Sequence, residues 1–150
     1  MTDALVAFLK ARYDELQAQQ EDPFAAWHSP DCEAVPDSWG RETGACNCGV
    51  PARTLREVET KRLLLEQAVT SRHLFTGDQY MDCPLLTEAD GAKADHVERI
   101  QALNDMYLEE LGREPACIDT CGRDARVRRT LELLALPYSD HPGYEEALRR

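Results

Sequence analysis

Cys46-Asn47-Cys48-Gly49-Val50-Pro51-Ala52-Arg53-Thr54-Leu55-Arg56-Glu57-Val58 runs a pair of thiols into the start of an amphipathic helix. Gly49 permits a tight backbone approach, and proline suits the first helical turn, where its missing N–H leaves no bond unmade. From Pro51 to Ala68 the residues Leu55, Val58, Leu65 and Ala68 keep one apolar stripe at helical spacing, which predicts a helix over 51–68. Thiolates placed just ahead of it also gain from the positive end of the helix dipole.

Upstream, residues 22–49 show neither helical nor strand period. Pro23, Pro30, Pro36, Gly40 and Gly44 punctuate the stretch, and both tryptophans, Trp27 and Trp39, lie inside it. An irregular segment of this length needs a reason to be ordered. His28 and Cys32, with three residues between them, join Cys46 and Cys48 as a set of one nitrogen and three sulfur donors. That set suits tetrahedral zinc, and four protein ligands close the coordination shell, which makes the expected site structural; small buried thiols with His28 at the surface, or a redox Cys-x-Cys pair, are the alternatives.

The remaining chain reads as helix. Leu5, Phe8, Leu9, Tyr13 and Leu16 predict a first helix over 3–20, with Thr2 as its N-cap. Residues 70–91 carry the breakers Gly77, Pro84 and Gly91, with Leu85-Leu86 as a buried anchor. A third helix is expected over 92–111, capped by Asp90 and closed by Gly112, and a fourth over 122–136, stopped by Pro137. Residues 137–150 read as a tail anchored by Tyr138 and Tyr144, with Asp140-His141 a structural part of it. The fold class is therefore mostly α: one domain over 1–150, about four helices, and a zinc-stabilised irregular segment before the second.

Six cysteines in a chain without a basic, apolar leader point to a reducing, cytoplasmic setting, where thiols bind metal or pack rather than pair. Cys117 and Cys121, four apart and directly before the fourth helix, loosely echo the first site. With Cys83 and one of His73 or His96 they could complete a second tetrahedron. Packed free thiols, or a disulfide formed on oxidation, are the alternatives. His96, on the third helix, is expected to face solvent, and His73 could equally cap the end of the second helix.

A net charge of -11 over 150 residues argues against a general nucleic-acid coat or a membrane-surface binder. Two basic clusters stand against that total: Arg53, Arg56, Lys61 and Arg62 on the second helix, and Arg123, Arg126, Arg128 and Arg129 on the fourth. They offer a phosphate-contacting surface, or they pair with acidic neighbours within their helices. The acidic third helix, with Asp95, Glu98, Asp105, Glu109 and Glu110, is a solvated face or an imitation of a nucleic-acid backbone. No phosphate loop, nucleotide fingerprint, serine elbow or His-Glu-x-x-His helix occurs. His28-Ser29-Pro30 also lacks the His-x-Glu of a zinc deaminase.

Three blocks resemble one uncharacterised family, a domain of unknown function found in actinobacteria and their phages. They are Met1 to Leu9, Cys46 to Arg62 with its Cys-x-Cys-Gly-Val-Pro-Ala-Arg core, and Leu133 to Tyr144 with its Ala-Leu-Pro-Tyr ending. The resemblance implies a helical start, a variable middle and, in some members, a His/Cys set before the central Pro-Ala-Arg. It gives no support to a second metal site. These readings together lead to a non-catalytic zinc-binding accessory or regulatory protein with a protein partner. A nucleic-acid-associated protein and an unrecognised zinc-dependent enzyme are the alternatives.

Overall fold

The computed structural model describes residues 2–22, 25–35 and 44–149. Among the described residues five α-helices follow in order: α1 (Thr2–Glu21), α2 (Val50–Val69), α3 (Ala94–Leu111), α4 (Arg123–Ala135) and α5 (Tyr144–Arg149). Short 3-10 turns occupy Glu88–Asp90 and Leu136–Tyr138, and there is no strand among the described residues. The Thr2 side chain and Pro23, Pro36, Trp39 and Gly40 lie outside the described residues. The chain divides into two compact units, one of Met1–Glu66 with Leu131–Arg150 and one of Gln67–Thr130.

In the first unit the α1 stripe Leu5, Leu9 and Tyr13 is buried at four-residue spacing. Val58 and Leu65 of α2, Leu131 and Ala135 of α4, and Ala147 of α5 are buried as well. Each fully buried leucine here contributes roughly 1.5–3 kcal/mol relative to exposure. α1 packs against α5. The segment expected to be a plain tail thus contains a helix, and it is anchored as the two tyrosines suggest. Phe8 meets Tyr138, His141 and Tyr144 edge-on, with ring centroids 6.4, 5.5 and 6.3 Å away. His141 also pairs with Arg12. Arg62 of α2 reaches α1, donating to Asp14 at 2.6 Å and to Gln17.

The second unit joins α3 and the start of α4 to long irregular stretches. Leu86, Ala92 and Val97 form its apolar cluster, with Ile100 and Val127 also buried. α3 starts at Ala94, two residues later than the sequence pattern suggests, and Asp90 does not cap it. Instead Asp90 accepts the Thr87 amide and hydroxyl at 2.9 and 2.8 Å and the His73 amide at 2.7 Å. A carboxylate with three donors in reach gains more there than at a distant helix end. Burial pushes Asp90 up, but these donors outweigh it and hold the carboxyl below its usual range. Gly112 closes α3 as expected, in the left-handed conformation at φ +61, its N–H returning to the Leu108 carbonyl.

Candidate metal centres

The first cluster is assembled by two short pieces of irregular backbone. Successive turns, Cys32 N–H to Ser29 O and Val35 N–H to Cys32 O, both 3.0 Å, bring His28 and Cys32 together after α1. The Glu33 amide donates to the Asn47 side chain at 3.3 Å, tying this piece to the one that carries Cys46 and Cys48. Gly49, at φ +66, then turns the chain into α2, whose first bond runs from the Arg53 amide to the Gly49 carbonyl.

The ligand atoms of His28, Cys32, Cys46 and Cys48 all lie within 4.8 Å of one another. His28 Nδ1 is 3.4 Å from the sulfurs of Cys32 and Cys46 and 3.6 Å from that of Cys48. Cys46 Sγ is 3.9 Å from Cys32 Sγ and 3.7 Å from Cys48 Sγ. Zinc bonds of about 2.3 Å to sulfur and about 2.0–2.1 Å to nitrogen, set at tetrahedral angles, give edges of about 3.8 Å for S···S and about 3.6 Å for S···N. The five distances given lie within about 0.2 Å of those edges. The six cysteines are free thiols, so the sulfur contacts here are not disulfides, whose S–S bond is about 2.0 Å.

His73, Cys83, Cys117 and Cys121 form a second cluster, again with every ligand atom within 4.8 Å of the others. His73 Nδ1 stands 3.2 Å from Cys83 Sγ and 3.7 Å from Cys121 Sγ, distances that bracket the tetrahedral S···N edge. The Cys83 amide donates to the Leu74 carbonyl at 3.2 Å, and the Leu74 amide donates to Cys121 Sγ at 3.2 Å. The two cysteines are thus laid against the irregular stretch after His73. Gly122, at φ +61, turns Cys121 into α4 in the way that Gly49 turns Cys48 into α2. The Arg126 amide closes the first α4 bond on the Gly122 carbonyl. Both clusters therefore end in Cys-Gly-helix, and both use histidine Nδ1.

Backbone amides prepare these terminal cysteines to be thiolates. Amides of Ser29 and Val50 bring Cys48 down to about 7. Burial pushes Cys121 up, but the amides of Leu74 and Arg123 and the His73 ring outweigh it and bring the thiol to about 6. Cys83, the most enclosed, is pushed up by burial to about 12. The second cluster without a metal thus keeps a proton on Cys83, and a cation is what would displace it. Each set of three sulfurs and one imidazole could hold a metal ion.

The sequence model of one family matches residues 2–149. The chain belongs to DUF6221, a family of unknown function. No curated protein matches it, and no solved structure does.

The fold of the DUF6221 chain brings together residues that its sequence leaves unassigned. Its first cluster gathers all four residues expected there, and its second takes His73, not His96, beside Cys83, Cys117 and Cys121. His96 is not solvent-facing but buried, its Nε2 2.6 Å from Asp82 Oδ2. The other Asp82 oxygen receives the Thr76 amide and hydroxyl. Asp82 lies fourteen residues before His96, so no local pattern pairs them. The signal that was available is the position of His96 beside Val97, on the α3 face that buries Ile100.

Several arginines of the DUF6221 chain are engaged internally. Arg53 meets Glu57 at 3.6 Å, and Arg62 meets Asp14. Arg123 donates to the Ser71 and Val69 carbonyls at 2.9 and 3.0 Å, and Arg126 to the Cys121 carbonyl at 2.8 Å. The last three bonds brace the backbone around the second cluster, a role no charge count reveals. Among the described residues, no helix is long and apolar enough to cross a membrane.

Proposed function

We propose that this chain is a non-catalytic zinc-binding accessory protein that works by contact with a protein partner, its first site a structural zinc held by His28, Cys32, Cys46 and Cys48. The observation that carries the reading is the closed set of three sulfurs and one nitrogen at tetrahedral edge lengths. Four protein donors leave no position for a substrate or a water, so the ion supplies folding free energy rather than Lewis-acid chemistry. Zinc there would bind residues 28–35 to the start of α2 and order a stretch with little apolar burial of its own. The resemblance of the three sequence blocks supports an origin in an actinobacterium or its phage.

Two features weigh against the alternatives. Arg62, Arg123 and Arg126 are spent on Asp14, Gln17 and backbone carbonyls, which occupies N–H donors that a phosphate would otherwise take. Four protein donors at the first cluster leave a zinc there no open position for the water that a zinc-dependent enzyme activates, and a cleft of about 480 Å³ beside Cys117 is lined by none of that cluster's ligands.

Metal analysis combined with affinity capture from the native host tests the reading. Protein purified without added metal should carry zinc, and a Cys46→Ser/Cys48→Ser variant should lose one equivalent together with the captured partner. Equal capture by both forms, or a folded protein free of zinc, overturns it. A low-salt mobility shift with DNA or RNA would replace it with the nucleic-acid reading.

A further inference from the structure

We propose that the second cluster is a second zinc site, completed by His73, and that of the two it is the one that retains its ion while the first exchanges.

The donor chemistry comes first. Three thiols and an imidazole from stretches separated by up to 48 residues converge on one point, and the nitrogen aimed at the sulfurs is the same Nδ1 as in the first cluster. Apolar packing gives no reason to point a ring nitrogen into a group of thiols. A single disulfide would use two of the three sulfurs and leave the third and the imidazole facing it. One tetrahedral cation satisfies all four. The shared Cys-Gly-helix ending supplies an independent parallel, since each Gly has positive φ and each helix starts on that Gly's carbonyl.

The difference lies in access. In the first cluster Cys46 is exposed, and His28 and Cys48 are partly so. Cys32 alone is buried there, whereas in the second cluster Cys83 is 0% and Cys121 4% exposed, with His73 and Cys117 partly so. The backbone around His73 and Cys121 is also clamped. Asp90 holds the His73 amide, Arg126 the Cys121 carbonyl, and Arg123 the carbonyls of Val69 and Ser71. A competing ligand removes zinc by approaching the ion as a protein donor swings away. That approach is open at Cys46, whereas in the second cluster it is confined to the Cys117 side, and release of the buried Cys83 and Cys121 sulfurs must wait for clamped groups to open together. The first unit would then respond to zinc supply while the second stays loaded. This contrast rests on the zinc proposed above for the first site; the existence of the second site does not.

A chromogenic chelator mixed with the full chain as purified reads both claims. Two equivalents of zinc should leave in two phases, the second about tenfold slower or more, because its release waits for local opening. Cys48→Ser should abolish the fast phase, and Cys121→Ser the slow one. Release of two equivalents in one phase overturns the contrast. A single equivalent that survives in Cys121→Ser and vanishes in Cys48→Ser overturns the second site and leaves the first intact; the reverse pattern overturns the first alone. Cobalt titration of the unsubstituted chain needs no variant to fold: thiolate charge-transfer absorption should rise through two equivalents, and saturation at one overturns the second site.

Discussion

His96 and Asp82 form a hydrogen-bonded pair closed to solvent, Nε2 to Oδ2 at 2.6 Å, with side chains 8% and 0% exposed. Arg99 reaches the opposite ring nitrogen, Nδ1, at 3.2 Å. A guanidinium can only donate, so Nδ1 accepts and the proton sits on Nε2, facing the carboxylate. The Phe75 ring meets the imidazole edge-on at 5.2 Å. Burial pushes Asp82 up, but the Thr76 amide and hydroxyl and the imidazole outweigh it and hold the carboxyl below its usual range. The pair fixes the backbone one residue ahead of Cys83.

Asp82→Asn should therefore destabilise the protein. An amide offers one acceptor oxygen where three donors from Thr76 and His96 converge, and its NH2 would face one of them. A buried donor left without a partner costs about 1–3 kcal/mol. Urea unfolding followed by circular dichroism should show stability fall by that amount, with Asp78→Asn at an exposed position as control. An unchanged midpoint would mean the pair is not closed as described.

The two glycines ahead of the helices should differ in tolerance. Both Gly49→Ala and Gly122→Ala force a Cβ into left-handed backbone, a cost of about 1–2 kcal/mol. At Gly49 the new Cβ meets nothing within 4 Å, whereas at Gly122 it comes 3.1 Å from Arg126 Nη1 and 3.6 Å from the Asp119 carbonyl. Arg126 would have to give, loosening its bond to the Cys121 carbonyl. Gly122→Ala should thus show the larger drop in melting temperature, and equal drops would argue against the brace.

How much of this was legible in the chain depends on distance along it. Residues Cys46 to Val58 carry their own instructions: two thiols, a glycine, a proline and an apolar stripe, all within one helix-start. The second cluster is spread from residue 73 to 121, and nothing local says which histidine joins it. Only the fold puts His73 beside Cys121 and turns His96 toward Asp82. Asp90 was legible as a cap, but it caps a different turn because Thr87 and the His73 amide lie closer to it. α5, six residues long, is too short for a periodic pattern, and its Tyr144 meets the Phe8 ring of α1, a contact that its own sequence does not mention.

Tyr13 should govern an alkaline limb of stability. It is fully buried, its hydroxyl has no hydrogen-bond partner among the described residues, and burial, helped by Tyr138, raises it to about 12. The neutral phenol is the folded form, so its contribution is intact below the unfolded value of about 10 and is lost as pH rises toward the folded one. Tyr13→Phe should flatten that fall above pH 10 and leave neutral-pH stability unchanged or higher, because it removes an unsatisfied polar group. Thermal melts from pH 7 to 11 decide this; a large loss at pH 7 would show that the hydroxyl has a partner after all.

X-ray absorption at the zinc K edge of protein purified without added metal tests the central claim most directly. A strong edge is predicted, with a first shell averaging three sulfurs at about 2.3 Å and one nitrogen at about 2.0–2.1 Å and no oxygen. A folded, helical protein without a zinc edge, or a shell dominated by oxygen, would contradict it.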